Sequence, residues 1–216
     1  MNRRQIVSTV AAALLVAALV PASASAQSFE AGVKGGINVA SISWSNSDPK
    51  PAISSRNGGI IGGYVAKDGK KMGLAVEVLY SQKGAHLDFS STGIIDTVDL
   101  KLDYVEIPVL GRFNIAKDKT LIHIYAGPVF AFSVKDETTE TFRTTTQTTP
   151  ATVETQDAGA KSSDIGIAIG AQVDVHKFLV DVRYNWGLKN VNDSSGAGEP
   201  DVKNKCFSAM FGFRFK

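Results

Sequence analysis

The chain of 216 residues carries 23 lysines and arginines against 21 aspartates and glutamates, so its formal net charge of +2 gives no basis for a polyanionic partner such as nucleic acid. Its length is sufficient for one domain with a full core. Its single cysteine, Cys206, excludes an internal disulfide framework, and an exported form must be held together by other means.

The first predicted element is a secretory signal peptide at the N-terminus. Arg3 and Arg4 precede an unbroken apolar run over residues 10–20, and Ala24 and Ala26 supply the A-x-A pattern of a cleavage site. The run is too short for a comfortable membrane span, so a retained anchor helix is the weaker alternative. Cleavage after the second alanine divides the chain into a signal peptide, residues 1–26, and a barrel domain, residues 27–216.

Alternation with a period of two recurs along the mature chain and predicts eight β-strands. In the first strand, Val33, Ile37 and Val39 alternate with Lys34 and Asn38. The predicted strands occupy residues 29–39, 60–66, 72–80, 98–113, 122–134, 165–175, 178–188 and 207–215. No segment after the signal peptide has the roughly 18 consecutive apolar residues of a membrane helix, so a membrane form of this chain has to be a barrel.

The fourth predicted strand changes the phase of its alternation. Its apolar residues lie at even positions through Leu102 and Tyr104 and at odd positions from Val105 onward. One extra residue in a strand returns the apolar side chains to the same face. The phase change therefore predicts a β-bulge between Tyr104 and Val105.

Short and long connections alternate strictly between the predicted strands. Three have turn length and turn chemistry: "KDGKK" at residues 67–71, "AKDKT" at 116–120 and "HK" at 176–177. The four long connections cover residues 44–57, 86–97, 135–163 and 189–205. Eight antiparallel strands joined in this way form an up-and-down barrel with both termini on the short-turn side.

The two faces of the strands distinguish a membrane barrel from a soluble, lipocalin-like barrel whose apolar face points inward. The less apolar face of the sixth strand reads Asp164, Gly166, Ala168, Gly170, Gln172 and Asp174. Small groups mixed with a few charges suit the filled interior of a narrow eight-stranded barrel better than a water-facing surface. The apolar face is therefore predicted to contact lipid, which makes the fold class an all-β, eight-stranded antiparallel transmembrane barrel.

Aromatic residues near the strand ends agree with two interfacial girdles. Those toward the long loops are Tyr80, Tyr104, Phe132 and Trp186, and those toward the short turns are Phe29 and Phe178. The aromatic core of a soluble barrel has no such preference for strand ends.

Charged residues on the less apolar face are the candidate site residues of the lumen. By parity the set comprises Lys34, Glu77, Glu106, Arg112, Asp181, Arg183 and Arg214. An isolated ion out of water costs several kcal/mol, so charges of both signs in one narrow lumen must pair. Two interpretations stay open, a polar permeation path and a plug of salt bridges, and the filled interior of an eight-stranded barrel favours the plug.

Catalytic, cofactor and metal sites are not predicted. His86 falls at the opposite end of the barrel from His123 and His176, so the three predict no cluster for metal binding or for a catalytic triad, and surface or turn roles are expected for them. The glycines of "KGGIN" and "NGGIIGGY" lack the strand, phosphate loop and helix context of a nucleotide site, and close packing explains them better. The chain is expected not to be an enzyme and to bind no cofactor.

Four stretches carry a family resemblance: "FEAGVKGGINVASIS", "LDYVEIPVLGRF", "YAGPVFAF" and the final "FGFRF". They resemble the outer-membrane β-barrel proteins called the PorT-like or porin-family barrel domain, over essentially the whole mature chain. The resemblance implies a location in the outer membrane of a Gram-negative bacterium. It also implies that assembly machinery reads the last strand at Phe211, Phe213 and Phe215, although Lys216 follows where such proteins commonly end in an aromatic residue.

The third long connection, residues 135–163, is Thr-rich, acidic and poor in apolar groups. It is predicted to be flexible and solvent-exposed, either as a surface for an extracellular ligand or as a polar spacer. Three functions stay open: a structural or surface-interaction barrel, a small porin passing ions or polar solutes, and a membrane-embedded enzyme, for which no converging catalytic residues are visible. Expected partners are outer-membrane lipid, periplasmic chaperones and the barrel-assembly machinery, and the chain is expected to be a monomer.

Overall fold

The computed structural model describes residues 29–45, 51–91, 94–117, 120–144, 153–156, 161–192 and 201–215. The predicted signal peptide, residues 1–26, lies outside these ranges. Within them, no helix combines the length and apolar character needed to cross a membrane.

The described residues form nine β-strands. In chain order they are β1 (Phe29–Ser45), β2 (Ala52–Asp68), β3 (Met72–Asp88), β4 (Ile94–Lys117), β5 (Thr120–Thr144), β6 (Val153–Gln156), β7 (Ser163–Val175), β8 (Phe178–Gly187) and β9 (Asp201–Arg214). Each of the predicted strands corresponds to one of these elements, and β6 is an addition within the third long connection.

Eight of the nine strands close into a ring. Neighbouring strands in the sequence pair antiparallel from β1 to β5, β5 pairs with β7, and β7, β8 and β9 follow in order. β9 then pairs with β1, from Gly32 with Arg214 to Ser45 with Asp201. Within the described residues β6 pairs with β5 alone, at Thr138 to Thr141. The predicted eight-stranded up-and-down barrel is confirmed.

Alternate side chains point out of the barrel and into it, as the period-two pattern predicted. On β2, however, the apolar alternation that starts at Ile60 indicates the wrong face, because Ile60 and Tyr64 are buried and Ile61 is exposed. On β1, Ile37 is 62% exposed, whereas its near neighbour Lys34 is 2% exposed. The outer surface carries exposed Ile, Val and Phe side chains on β1, β2, β5, β7, β8 and β9, and the lumen holds most of the buried polar groups. A soluble barrel with an apolar interior has the opposite arrangement, so the lipocalin-like alternative is wrong.

The predicted bulge in β4 is wrong. The pairing of β4 with β3 continues without a shift through Tyr104 with Ser81 and Val105 with Tyr80. The irregularity lies instead in β5, because Asp103 pairs with residue 135 and Tyr104 with residue 133, which leaves residue 134 unmatched. Leu102 and Tyr104 therefore stay on the lumen face of β4 and are fully buried.

Tyr104 is consequently not part of an aromatic girdle. The other five predicted girdle residues, Tyr80, Phe132, Trp186, Phe29 and Phe178, are exposed on the outer surface. The outward direction is therefore confirmed for these five side chains and wrong for Tyr104, which lies in the lumen. The position of the five at the two membrane interfaces stays a prediction.

The predicted bounds of the long connections are also wrong, because the strands extend further at that end of the barrel. β3 ends at Asp88, β4 begins at Ile94, and β5 continues to Thr144. β4 and β5 have 24 and 25 residues, more than twice the roughly 9–11 residues that cross a bilayer. The first part of the predicted loop 135–163 is strand, since its β-branched threonines suit a strand and pair with β4.

Candidate functional site

Four charged side chains meet in the middle of the lumen and form the central cluster: Lys34 of β1, Glu77 of β3, and Asp181 and Arg183 of β8. Lys34 Nζ lies 2.6 Å from Glu77 Oε1 and 2.7 Å from Asp181 Oδ2. Arg183 reaches the same two carboxylates, with Nη1 2.8 Å from Glu77 Oε2 and Nη2 2.8 Å from Asp181 Oδ2. Each cation therefore bridges both carboxylates across the barrel.

The central cluster is electrically balanced and sealed from solvent. Its two cations and two carboxylates are at most 3% exposed at the side chain. Tyr125 of β5 donates its hydroxyl to Asp181 Oδ1 at 2.5 Å, and its ring lies 5.3 Å from the Arg183 guanidinium. Such extensive pairing is what makes burial of four charges tolerable, because each would otherwise carry a desolvation cost of several kcal/mol.

A second group of charges, the turn-end cluster, lies nearer the short turns and contains Arg112 and Arg214. Arg214 Nη1 lies 3.1 Å from Glu30 Oε2 and 3.4 Å from Asp174 Oδ2. Arg112 Nη1 lies 3.5 Å from Asp68 Oδ2. The two predicted arginines thus line the lumen but belong to a different level from Lys34 and Arg183.

His123 joins the turn-end cluster instead of taking the surface or turn role predicted for it. Its imidazole is fully buried, with Nδ1 2.7 Å from Asn114 Oδ1 and Nε2 3.4 Å from Asp174 Oδ2. Within the described residues, no group of three or more His, Cys, Asp or Glu side chains is arranged to hold a metal ion. The expectation that the chain is not an enzyme stays a prediction.

A third group, the loop-end cluster, lies toward the long connections. It contains Glu106, the one predicted lumen residue not yet described, which is paired with Lys83. Asn204 connects its other members, because its side-chain amide donates to Asp164 Oδ2 at 2.9 Å and to Tyr104 Oη at 3.3 Å. The lumen charges therefore form three levels along the barrel.

Between the central and loop-end clusters the lumen is filled by uncharged side chains. Asn38 donates to Ser81 Oγ at 2.9 Å and accepts from Ser208 Oγ at 2.7 Å. Leu79 and Met210 pack together beside them. The levels are thus connected by packed side chains, as expected for eight strands.

The predicted charge network omitted several members of these clusters: Glu30, Asp68 and Lys83, and also Asp164 and Asp174, which the sequence had placed on the inward face of the sixth predicted strand. Glu30 shares the parity of Lys34, and Asp174 that of Asp164, so the alternation contained the signal for both. Lys83 lay beyond the end of the predicted third strand, where the apolar alternation stops. Only the greater length of β3 places it on the lumen face.

The final strand presents its aromatic side chains outward. Phe211, Phe213 and Phe215 are exposed, and the backbone N–H of Phe215 donates to the carbonyl of Ala31 at 2.8 Å. Lys216 lies outside the described residues. Recognition of these phenylalanines by assembly machinery stays a prediction.

Comparison with known proteins identifies an outer-membrane relationship. The family described as "Outer membrane protein beta-barrel domain" matches residues 25–193. No curated protein sequence matches the chain.

Among solved structures, the outer membrane protein OprG from Pseudomonas aeruginosa is 11% identical, with a TM-score of 0.50 over 88% of this chain and 97% of that one. Neisserial surface protein A is 13% identical, with a TM-score of 0.43 over 86% and 97%. At these identities the likeness concerns the fold alone.

Proposed function

Since the chain belongs to the outer membrane protein beta-barrel domain family and is located in the outer membrane, we propose that it is a closed structural barrel that presents its extended strand ends and loops for interaction at the cell surface. The barrel itself is the rigid support. The finer resemblance to PorT-like barrels and the expected monomeric state are part of this proposal.

The observation that carries the proposal is the central cluster. Four buried charges from β1, β3 and β8 bridge the lumen at distances of 2.6 to 2.8 Å. A water-filled pore needs hydrated charges along a continuous path. The charged groups of the central cluster contact one another and not water. The cluster thus favours a plug over a permeation path.

The part of the barrel beyond the membrane supports a surface role. Residues 94–103 of β4 pair with residues 135–144 of β5, and β6 adds a third short strand to this extension. Recognition residues are commonly carried by segments held on a rigid scaffold. An extracellular ligand for the segment 135–163 is therefore proposed, and outer-membrane lipid, periplasmic chaperones and the barrel-assembly machinery are the proposed partners of the barrel wall.

A conductance measurement tests the closed lumen. Purified protein inserted into planar bilayers is expected to give no steady single-channel current, because the central cluster leaves ions no hydrated path. A difference in gel migration between unheated and boiled samples verifies that the reconstituted protein is folded. The closed lumen is contradicted if the wild-type protein gives a steady current and Arg183→Ala changes that current without lowering the stability of the barrel. The small porin is then the better interpretation.

Proteolysis of intact cells tests the orientation on which the surface role depends. A protease added outside is expected to cut first within residues 135–163, since outer-membrane barrels place their longer loops outside the cell. The turn at residues 67–71 is the internal control and is expected to be cut only after the membrane is permeabilised. Prior cleavage of that turn in intact cells shows the opposite orientation and removes the basis of the surface role.

A further inference from the structure

An apolar cavity opens at the loop end of the lumen. It has a volume of about 250 Å³. Eight of its ten lining residues are apolar, among them Trp44, Phe89, Leu100, Leu102 and Val202. Because the outer surface of the barrel beyond the bilayer contacts water, the apolar side chains at the loop end face the lumen.

The residues of the cavity wall pack against one another. Leu87, Val191 and Val202 are buried in one apolar cluster, against which Trp44 and Phe89 pack with ring centroids 6.2 Å apart. The backbone of Val191 donates to the carbonyl of Val202 at 2.8 Å, which fixes the segment after β8 against β9. A preformed apolar concavity of this kind is a usual feature of small-molecule sites.

Hydrogen-bond acceptors lie one step deeper in the lumen. On β9 the inward residue after Val202 is Asn204, and on β4 the inward residue after Leu102 is Tyr104. Two residues advance a strand by about 7 Å. Asn204 donates to both Tyr104 and Asp164, so the loop-end cluster begins one inward residue below the cavity lining, and we call it the floor of the site.

This floor has more acceptors than donors. Glu106 Oε2, Asp164 Oδ1 and Asn204 Oδ1 are buried and have no hydrogen-bond partner within the described part of the chain. Their residues are 0%, 5% and 2% exposed. Glu106 is paired with Lys83, whereas Asp164 is held by the neutral amide of Asn204, so this level carries an excess of negative charge. Buried acceptors of this kind require a donor.

We propose that the loop-end cavity binds a small cationic amphiphile from the external medium, with its apolar body among Trp44, Leu100 and Val202 and its ammonium group directed at Asp164 and Glu106. A cavity of about 150 Å³ accepts benzene, so the present one holds an apolar body of roughly ten carbon atoms. The ammonium supplies the donors that the floor lacks and offsets its negative charge.

Trp44 allows binding to be followed directly. The chain has two tryptophans, and Trp186→Phe removes the one on the outer surface, so emission then reports the cavity alone. This variant in phosphatidylcholine nanodiscs is titrated with 4-phenylbutylammonium and, separately, with 4-phenylbutyrate, which has the same number of carbon atoms and the opposite charge. The ammonium is expected to give a saturable change in emission, with an affinity at least about tenfold higher than that of the carboxylate.

Three further variants, made in the same background, test the apolar body and the ammonium group separately. Val202→Phe fills the cavity and is expected to abolish the saturable change, whereas Val180→Phe on the outer face of β8 is expected to preserve it. Asp164→Asn is expected to remove the preference for the ammonium over the carboxylate. Equal affinities for the two probes in the unmodified site overturn the assignment of the head group. A saturable change that persists in folded Val202→Phe, or none with either probe, overturns the site itself.

Discussion

Replacing Arg183 with alanine is expected to lower the free energy of unfolding by about 3 to 5 kcal/mol, the usual cost of removing one partner from a buried ion pair. The guanidinium lies 2.8 Å from carboxylate oxygens of both Glu77 and Asp181 and is fully buried. Without it, Lys34 alone has to balance two carboxylates in a dry lumen. The measurement is the temperature or urea concentration at which the compact form on a detergent gel is lost.

Tyr184→Ala is the control on the other face of the same strand. Tyr184 contacts Trp186, with ring centroids 4.4 Å apart, and belongs to the lipid-facing side. Its loss removes an aromatic contact of about 0.5 to 1.5 kcal/mol and weakens anchoring at the interface without unpairing any charge. A Tyr184→Ala protein as unstable as Arg183→Ala contradicts the special cost assigned to the buried charge.

A double variant distinguishes charge imbalance from lost packing. Removing Glu77 together with Arg183 leaves the Lys34–Asp181 pair, at 2.7 Å, electrically balanced. The double variant is therefore expected to be more stable than Arg183→Ala alone, although it loses more side-chain volume. Strictly additive losses indicate that packing, not charge, holds the central cluster together.

The central cluster shows how much of the site follows from sequence. Lys34, Glu77, Asp181 and Arg183 were assigned to the lumen by parity alone, because side chains two apart on a strand share a face. Their contacts depend on the stagger of the strands around the ring, which brings together Lys34 and Asp181 from positions 147 residues apart. Alternation within one strand contains no information on that stagger, so Arg112 and Arg214 could not be separated from the central level in advance.

The errors in β4 have a different physical cause. An apolar side chain marks the outer face only at the depth of the bilayer, where that face contacts lipid. Beyond that depth the outer face meets water, and burial in the lumen becomes the favourable place for Leu102, Tyr104 and Val202. An apolar residue at alternate positions therefore indicates the outer face in one part of a strand and the lumen face in another. The bulge was predicted because every apolar residue of the strand was taken to face outward.

Gly36 tests the closure of the barrel, where the first and last strands pair. It lies opposite Met210 of β9, and a Cβ atom added to it would lie 2.0 Å from the backbone oxygen of Ala209. Because a backbone atom has little freedom to move, Gly36→Ala forces β1 and β9 apart. We expect this substitution to lower the free energy of unfolding by about 1 to 3 kcal/mol, the usual cost of overpacking.

Gly35→Ala is the matched control, since it adds the same methyl group one residue away. Its Cβ would lie 3.2 Å from the nearest atom, the backbone oxygen of Ile60, a contact that a displacement of a few tenths of an ångström relieves. On refolding into lipid, Gly35→Ala should give the wild-type fraction of the compact, heat-modifiable form, whereas Gly36→Ala should give less of it and give it more slowly. Equal yields and rates would falsify the idea that close approach at the β1–β9 seam requires glycine at position 36. The reason for the adjacent glycines in "KGGIN" would then have to lie in their backbone freedom in the unfolded or inserting chain, not in the space available in the closed barrel.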